Sequence, residues 1–215
     1  MTTQAVARII DLARIHTPGA LEGTLRLEFF NVLKDFLART DGWQEDICIP
    51  VTTGYDRYAI PSAQQAIVDR LLWLEGPRPA TESALHLGSS RKGILETTAT
   101  SENPAVLRIF YTPTACETWY AHVALTVTDP TDKEGLPTLP EWLVEKYHDY
   151  LMSGLIARMT LHPGKPYSSD KTAMFHARRY QSGIALARKD VQQGHVYGGQ
   201  RWSFPSNFAS RSQRF

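Results

Sequence analysis

Residues 168–171 read Ser-Ser-Asp-Lys. Ser-x-x-Lys is the spacing at which a lysine amine, one helical turn away, can take the proton of a serine nucleophile. The Lys-Thr-Gly segment that accompanies it in penicillin-binding enzymes is missing, because Lys171 and Thr172 are followed by Ala173. Ser169 and Asp170 have a simpler use at a helix start, where a side-chain oxygen accepts a free N–H of the first turn. They are therefore expected to be caps, with acylation through Ser168 and Lys171 as the weaker alternative. Glu141, Glu145 and Asp149 recur every four residues, which places them on one solvated helix face rather than opposite each other as general acid and base. The seven histidines (His16, His86, His122, His148, His162, His176, His195) are scattered, and neither CxxC nor HExxH occurs. Nothing here predicts a metal site. "GGQRW" at 198–202 and "HPGKPYS" at 162–168 contain glycine and a cation, but neither has Walker spacing. No catalytic set converges and no cofactor is called for, so the chain reads as a non-enzyme.

Residues suited to recognition gather at the end of the chain. After Gly199, Trp202, Phe204, Phe208 and Phe215 are interspersed with Arg201, Arg211 and Arg214, with no helical period and no strand alternation. Each aromatic side chain can bury about 150–250 Å², and aromatics mixed with arginine are typical interface anchors. Residues 196–215, fully extended, span about 65–70 Å, enough to cross one subunit and reach the next. Such a segment is expected to be disordered alone and to order only in a groove that supplies backbone hydrogen bonds and pockets. The alternative is that its aromatics fold back on the chain's own helices. From Lys171 onward there are eight Lys/Arg against one acid, or +7; since the whole chain carries +1, the first 170 residues carry −6. That asymmetry points to an acidic partner or to nucleic acid. A nucleic-acid-binding module using this tail on single strands or duplex phosphates is thus the second functional reading, although the arginines are spread through serines and no recognised nucleic-acid fold pattern occurs.

Apolar residues make up 42% of the 215, and aromatics 10%. Both are ordinary for a protein with a packed core. No apolar run approaches the roughly 18–20 residues of a membrane span, and no membrane partner is expected. Arg8, Asp11 and Arg14 interrupt the apolar pattern of the first segment, which is wrong for a secretory signal. Cys48 and Cys116 lie alone on expected strands and read as small core residues in a reducing compartment. The protein is expected to be made and used without export.

Four helices and a group of strands must position these residues. Val6, Ile9, Ile10 and Ala13 mark the first helix, and Leu25, Phe29, Val32, Phe36 and Leu37 the second. Alternation in "DICIPVT", then "GYDRYAIP", "AVLRIFYT" and "WYAHVALTVT", separated by Pro, Gly and Asn, predicts a largely antiparallel β region. "AIVDRLLWLEG" is ambiguous: Ser62 and Gln65 have capping-box spacing, yet the run is short and lies among strands, and strand is preferred. Residues 80–103 are read as loops with one short strand around 94–97. Helical period resumes at Leu139, with Pro140 expected in the first helical position, and Leu143, Tyr147, Leu151, Gly154, Leu155 and Arg158 follow on one stripe. The last helix, starting at Ser169 or Asp170, carries Ala173, Ala177, Tyr180, Ile184, Ala187 and Val191 at alternating steps of four and three. Its small residues, Gly183 among them, admit a close neighbour, either another subunit or the chain's own bundle. The expected fold is mainly α with a β insertion (α+β). Residues 1–42 and 136–195 would form one helical bundle, 43–135 a small antiparallel β domain, and 196–215 an extended arm.

Residues 135–190, "GLPTLPEWLVEKYHDYLMSGLIARMTLHPGKPYSSDKTAMFHARRYQSGIALARKD", resemble the head-to-tail adaptors of short-tailed bacteriophages, the tail tubular protein A family. The matching phrases are "LPEWLVEKY", the small-residue stretch at 153–158, the "GKPYS" turn, and the pattern formed by Tyr180, Gly183, Ile184, Ala185, Ala187 and Arg188. The resemblance covers 1–195 in element order and 135–190 in wording. It implies a structural virion protein without enzymatic activity, made in the host cytoplasm and placed at the head–tail junction. It further implies self-assembly into a ring, usually a dodecamer, between the portal protein and a tail nozzle of the tail tubular protein B kind. Double-stranded DNA would pass through that ring without sequence-specific contact. Within this picture Arg201, Trp202, Phe204, Phe208, Arg211, Arg214 and Phe215 form the arm expected to hold the portal.

Overall fold

Where the apolar period is 3.6 the chain is helical, and where it is two the chain is extended. The computed structural model describes residues 2–61, 66–76, 93–98, 103–110, 113, 115–127 and 139–193. Helix α1 (Thr2–His16) buries Val6, Ile9, Ile10 and Ala13. Helix α2 (Glu22–Thr40) buries Leu25, Phe29, Val32, Phe36 and Leu37 on the expected face. It stops at Asp41, whose left-handed backbone (φ 50°) lets its N–H reach the Leu37 carbonyl at 3.0 Å.

Among the described residues six strands follow: β1 (Gln44–Val51), β2 (Arg57–Ile60), β3 (Ala66–Glu75), β4 (Gly93–Thr97), β5 (Ala105–Ile109) and β6 (Glu117–Val127). They form two three-stranded antiparallel sheets, ordered β1-β6-β3 and β2-β5-β4. Strict alternation on β6 buries Trp119, Ala121, Val123, Leu125 and Val127, which share one apolar core with Ile60, Leu107 and Ile109 of the other sheet. The ambiguous segment is strand β3, as preferred from its setting; Ser62 and Gln65 lie outside the described residues. The short strand expected around 94–97 is β4, and it begins at a glycine for a steric reason. A Cβ at Gly93 would sit 2.7 Å from the Arg108 carbonyl oxygen.

The chain then returns to helix, as α3 (Glu141–Thr160) and α4 (Asp170–Gln192). Pro140 precedes the first helical residue instead of occupying it. Its extended backbone (φ −57°, ψ 129°) makes it the N-cap, with its carbonyl accepting from Leu143 N–H at 3.1 Å. Helix α3 runs through the middle of the bundle, touching α1, α2 and α4. Ala124, on the outer parity of β6, is buried as well, and α2 meets β6. Among the described residues helix supplies about 49% and strand 28%, an α+β fold in which the helices from both ends of the chain close one bundle beside a β region. Buried apolar residues run without a break from bundle to sheets.

The cysteines are not core residues. Cys48 lies on the outward parity of β1, between buried Ile49 and half-buried Ile47, and Cys116 precedes β6; both are exposed. Sequence alternation fixes two faces but not which face is covered, and Cys48 follows the uncovered one, while Cys116 lies outside the strands. No described helix is long and apolar enough to cross a membrane.

Candidate functional site

Helix α4 begins as its sequence requires. The Ser169 hydroxyl accepts from Thr172 N–H at 3.3 Å and lies 3.0 Å from the Thr172 hydroxyl. Its role is that of a cap, while Ser168 and Lys171 are exposed and share no hydrogen bond among the described residues. Along the stripe, Ala173, Tyr180, Ile184 and Ala187 are buried, and Ala177 and Val191 are half-buried.

The stripe is engaged within the chain. A Cβ at Gly183 would lie 2.3 Å from Tyr150 Cγ, and one at Gly154 would lie 2.7 Å from Val32 Cγ1 and 2.8 Å from Tyr180 Cδ2. These two glycines let α3 approach α4 and α2 closely. The Tyr180 hydroxyl crosses to α2, donating to the Val32 carbonyl at 3.0 Å and the Asp35 carboxylate at 2.9 Å. Burial, and then the Asp35 charge, hold that phenol well above the usual tyrosine range. Arg158, expected on the α3 stripe, turns outward to Glu28 at 2.6 Å. Burial alone would raise the Glu28 carboxyl, but Arg158, Asn31 and His162 outweigh it and hold the group below the ordinary value.

A buried carboxylate fixes the α3–α4 register. Asp190, 4% exposed, accepts from the Tyr147 hydroxyl at 3.0 Å and pairs with Lys146 at 2.9 Å. The Tyr147 phenol is pushed up to about 12, first by burial and then by this carboxylate. In sequence Asp190 is only the one acid of a basic segment; its importance comes from lying 43 residues from Tyr147 yet next to it in space.

Two histidine settings also emerge from the fold. On the outer face of the β1-β6-β3 sheet, His122 Nδ1 bonds Asp46, its Nε2 lies 3.7 Å from Glu75, and the Trp73 ring lies over it at 4.0 Å. At the other end of the bundle the His16 and His176 rings meet at 5.8 Å, with Phe175 against His176 at 5.2 Å. Nδ1 of His176 is buried without a hydrogen-bond partner among the described residues. Burial, His16 and Arg179 depress its pKa below the usual histidine value. No group of three or more His, Cys, Asp or Glu among the described residues could hold a metal ion.

The expected arm, Arg201, Trp202, Phe204, Phe208, Arg211, Arg214 and Phe215, lies outside the described residues, as do His86 and His195. The exposed carboxylates Glu141, Glu145 and Asp149 do share the outer face of α3, where Asp149 pairs with Arg179 at 3.0 Å. Compared with known proteins, the chain matches no family model and no curated protein.

Proposed function

We propose that this chain is a subunit of a head-to-tail adaptor ring that joins a phage portal to its tail nozzle and surrounds the DNA passage. The observation that carries the reading is architectural. Helices from both ends of the chain close one bundle, with the β region between them in sequence. This is the element order that the resemblance of residues 135–190 implies. A docking role also suits a molecule in which Asp190 with Tyr147 and Lys146, and Tyr180 with Asp35, hold its own helices together.

In this reading residues 196–215 form the portal-binding arm, with Trp202, Phe204 and Phe208 as anchors and Arg201, Arg211 and Arg214 meeting acidic groups. The test compares full-length protein with a chain truncated after residue 195, each mixed with portal-capped heads at moderate salt. Full-length protein should bind and the truncated form should not, with both showing the same circular dichroism. Normal tail assembly by the truncated form would refute the arm's role. If the protein instead binds random DNA with a steep salt dependence and ignores the portal, the nucleic-acid-binding reading replaces the adaptor.

A further inference from the structure

The outer face of the β1-β6-β3 sheet is covered at one end and open at the other. Around Ala124, which is buried, α2 meets β6. Further along, the strand register sets Asp46 and Trp73 on either side of His122, and Cys48 and Glu75 on either side of Tyr120. Here Trp73 is 48% and Tyr120 42% exposed, and Cys48 is exposed as well. Single exposed apolar residues are normal on a protein surface, but two large aromatics on one open stretch of sheet mark a contact site.

The same sheet is acidic. Its three strands carry Glu45, Asp46, Asp69, Glu75 and Glu117, and Arg70 is their one Lys or Arg. Arg70 is engaged by Asp41 at 3.3 Å and lies 3.9 Å from Asp69, while His122 sits between Asp46 and Glu75. Residues 194–215 have the opposite character. They hold Arg201, Arg211 and Arg214 with no Asp or Glu, and four large aromatics beginning at Trp202.

The chain also leaves α4 close to this sheet. Near the end of α4, Arg188 Nε donates to the Arg39 carbonyl at 2.6 Å, two residues before the Asp41 that holds Arg70 of β3. Trp73 lies three residues beyond Arg70, or about 10 Å along the strand. Helix α4 ends at Gln192, and the ten residues from there to Trp202 can span about 33–36 Å. Arg39, Arg188 and Lys189 gather where the helices end, and their charge turns a cationic segment away from the bundle and toward the carboxylates. The strand β1 is an edge of its sheet, the kind of element on which an extended segment also finds backbone hydrogen bonds.

From this we infer that residues 196–215 dock on the chain's own β1-β6-β3 sheet when no partner holds them, with Trp202 and Phe204 on Trp73 and Tyr120 and with Arg201 toward Asp46. Opposite charge, matching aromatics and short reach together select this occupant. A partner that takes the arm must first displace it from the sheet, so the sheet both stores the segment and restrains its use. The inference goes beyond the adaptor reading, because docking of this kind needs no portal.

The experiment uses Cys48 as a reporter. In chains carrying Cys116→Ser it is the one thiol, and it lies beside Tyr120 on the open face. Alkylation by iodoacetamide, a neutral reagent, is followed by mass spectrometry in three forms: the full-length chain, the full-length chain with Trp202→Ala and Phe204→Ala, and the chain truncated after residue 195. Cys48 should react several-fold faster in the second and third forms than in the first, with the same far-ultraviolet circular dichroism in all three. The slow reaction should not depend on protein concentration. Equal rates in the full-length and truncated chains would overturn the inference, and so would protection that survives loss of the two aromatics. Protection that disappears on dilution would assign the arm to a second copy and overturn docking within the chain. No portal enters the measurement, so a failure here leaves the adaptor reading to its own test.

Discussion

Helix propensity and packing disagree at Gly183, and the disagreement can be measured. Alanine is the better helix former by about 1 kcal/mol, but its Cβ would lie 2.3 Å from Tyr150 Cγ, and overpacking costs about 1–3 kcal/mol. Gly183→Ala should therefore lower the urea midpoint, whereas a raised midpoint would mean that α3 and α4 are not locked at this point. Asp190→Ala, which leaves Lys146 and Tyr147 facing an empty site, should cost about 3–5 kcal/mol. Tyr147→Phe removes one hydrogen bond to a charged group and should cost about 1.5–3 kcal/mol. Equal losses in urea titrations would argue against a buried anion at the α3–α4 seam. His176 sets a pH dependence. Its folded-state pKa lies below the unfolded value through burial, His16 and Arg179, so the unfolded chain binds the proton more readily. The stability it contributes is fully present above about pH 6.5 and declines as pH falls toward the folded pKa. His176→Gln should flatten the thermal melting temperature between pH 7 and pH 5, and an unchanged slope would remove His176 as the cause.

Elements were legible where period and punctuation agreed. α1, α2 and α4 follow from their 3.6-residue stripes, and Ser169 from its place before the last of them. Ser169→Ala should cost about 1 kcal/mol, read from the melting temperature, and a neutral result would mean that the Thr172 N–H finds another acceptor. Segment β3 was harder, because a ten-residue apolar run fits either state and only its setting among strands favoured pairing with β6. The burial of Asp190 and the meeting of His16 with His176 were not legible at all. Both depend on helices brought together across 43 residues and 160 residues of chain, respectively. The exposure of Cys48 was not legible for a related reason, since parity alone does not say which face of β1 is covered, and Cys116 falls just outside β6. Residues 194–215, which carry the expected arm, lie outside the described residues, and that part of the candidate site rests on composition.

At the scale of the molecule, bundle and sheets share one apolar core, and Asp190 is buried beside it on the Tyr147 hydroxyl. A subunit built this way is suited to being held by others, which is the role proposed for it. Electron microscopy of the purified full-length protein mixed with its portal addresses that role most directly. Closed rings of this chain seated on the portal are the predicted result. Portal particles left bare beside monomeric protein would contradict it.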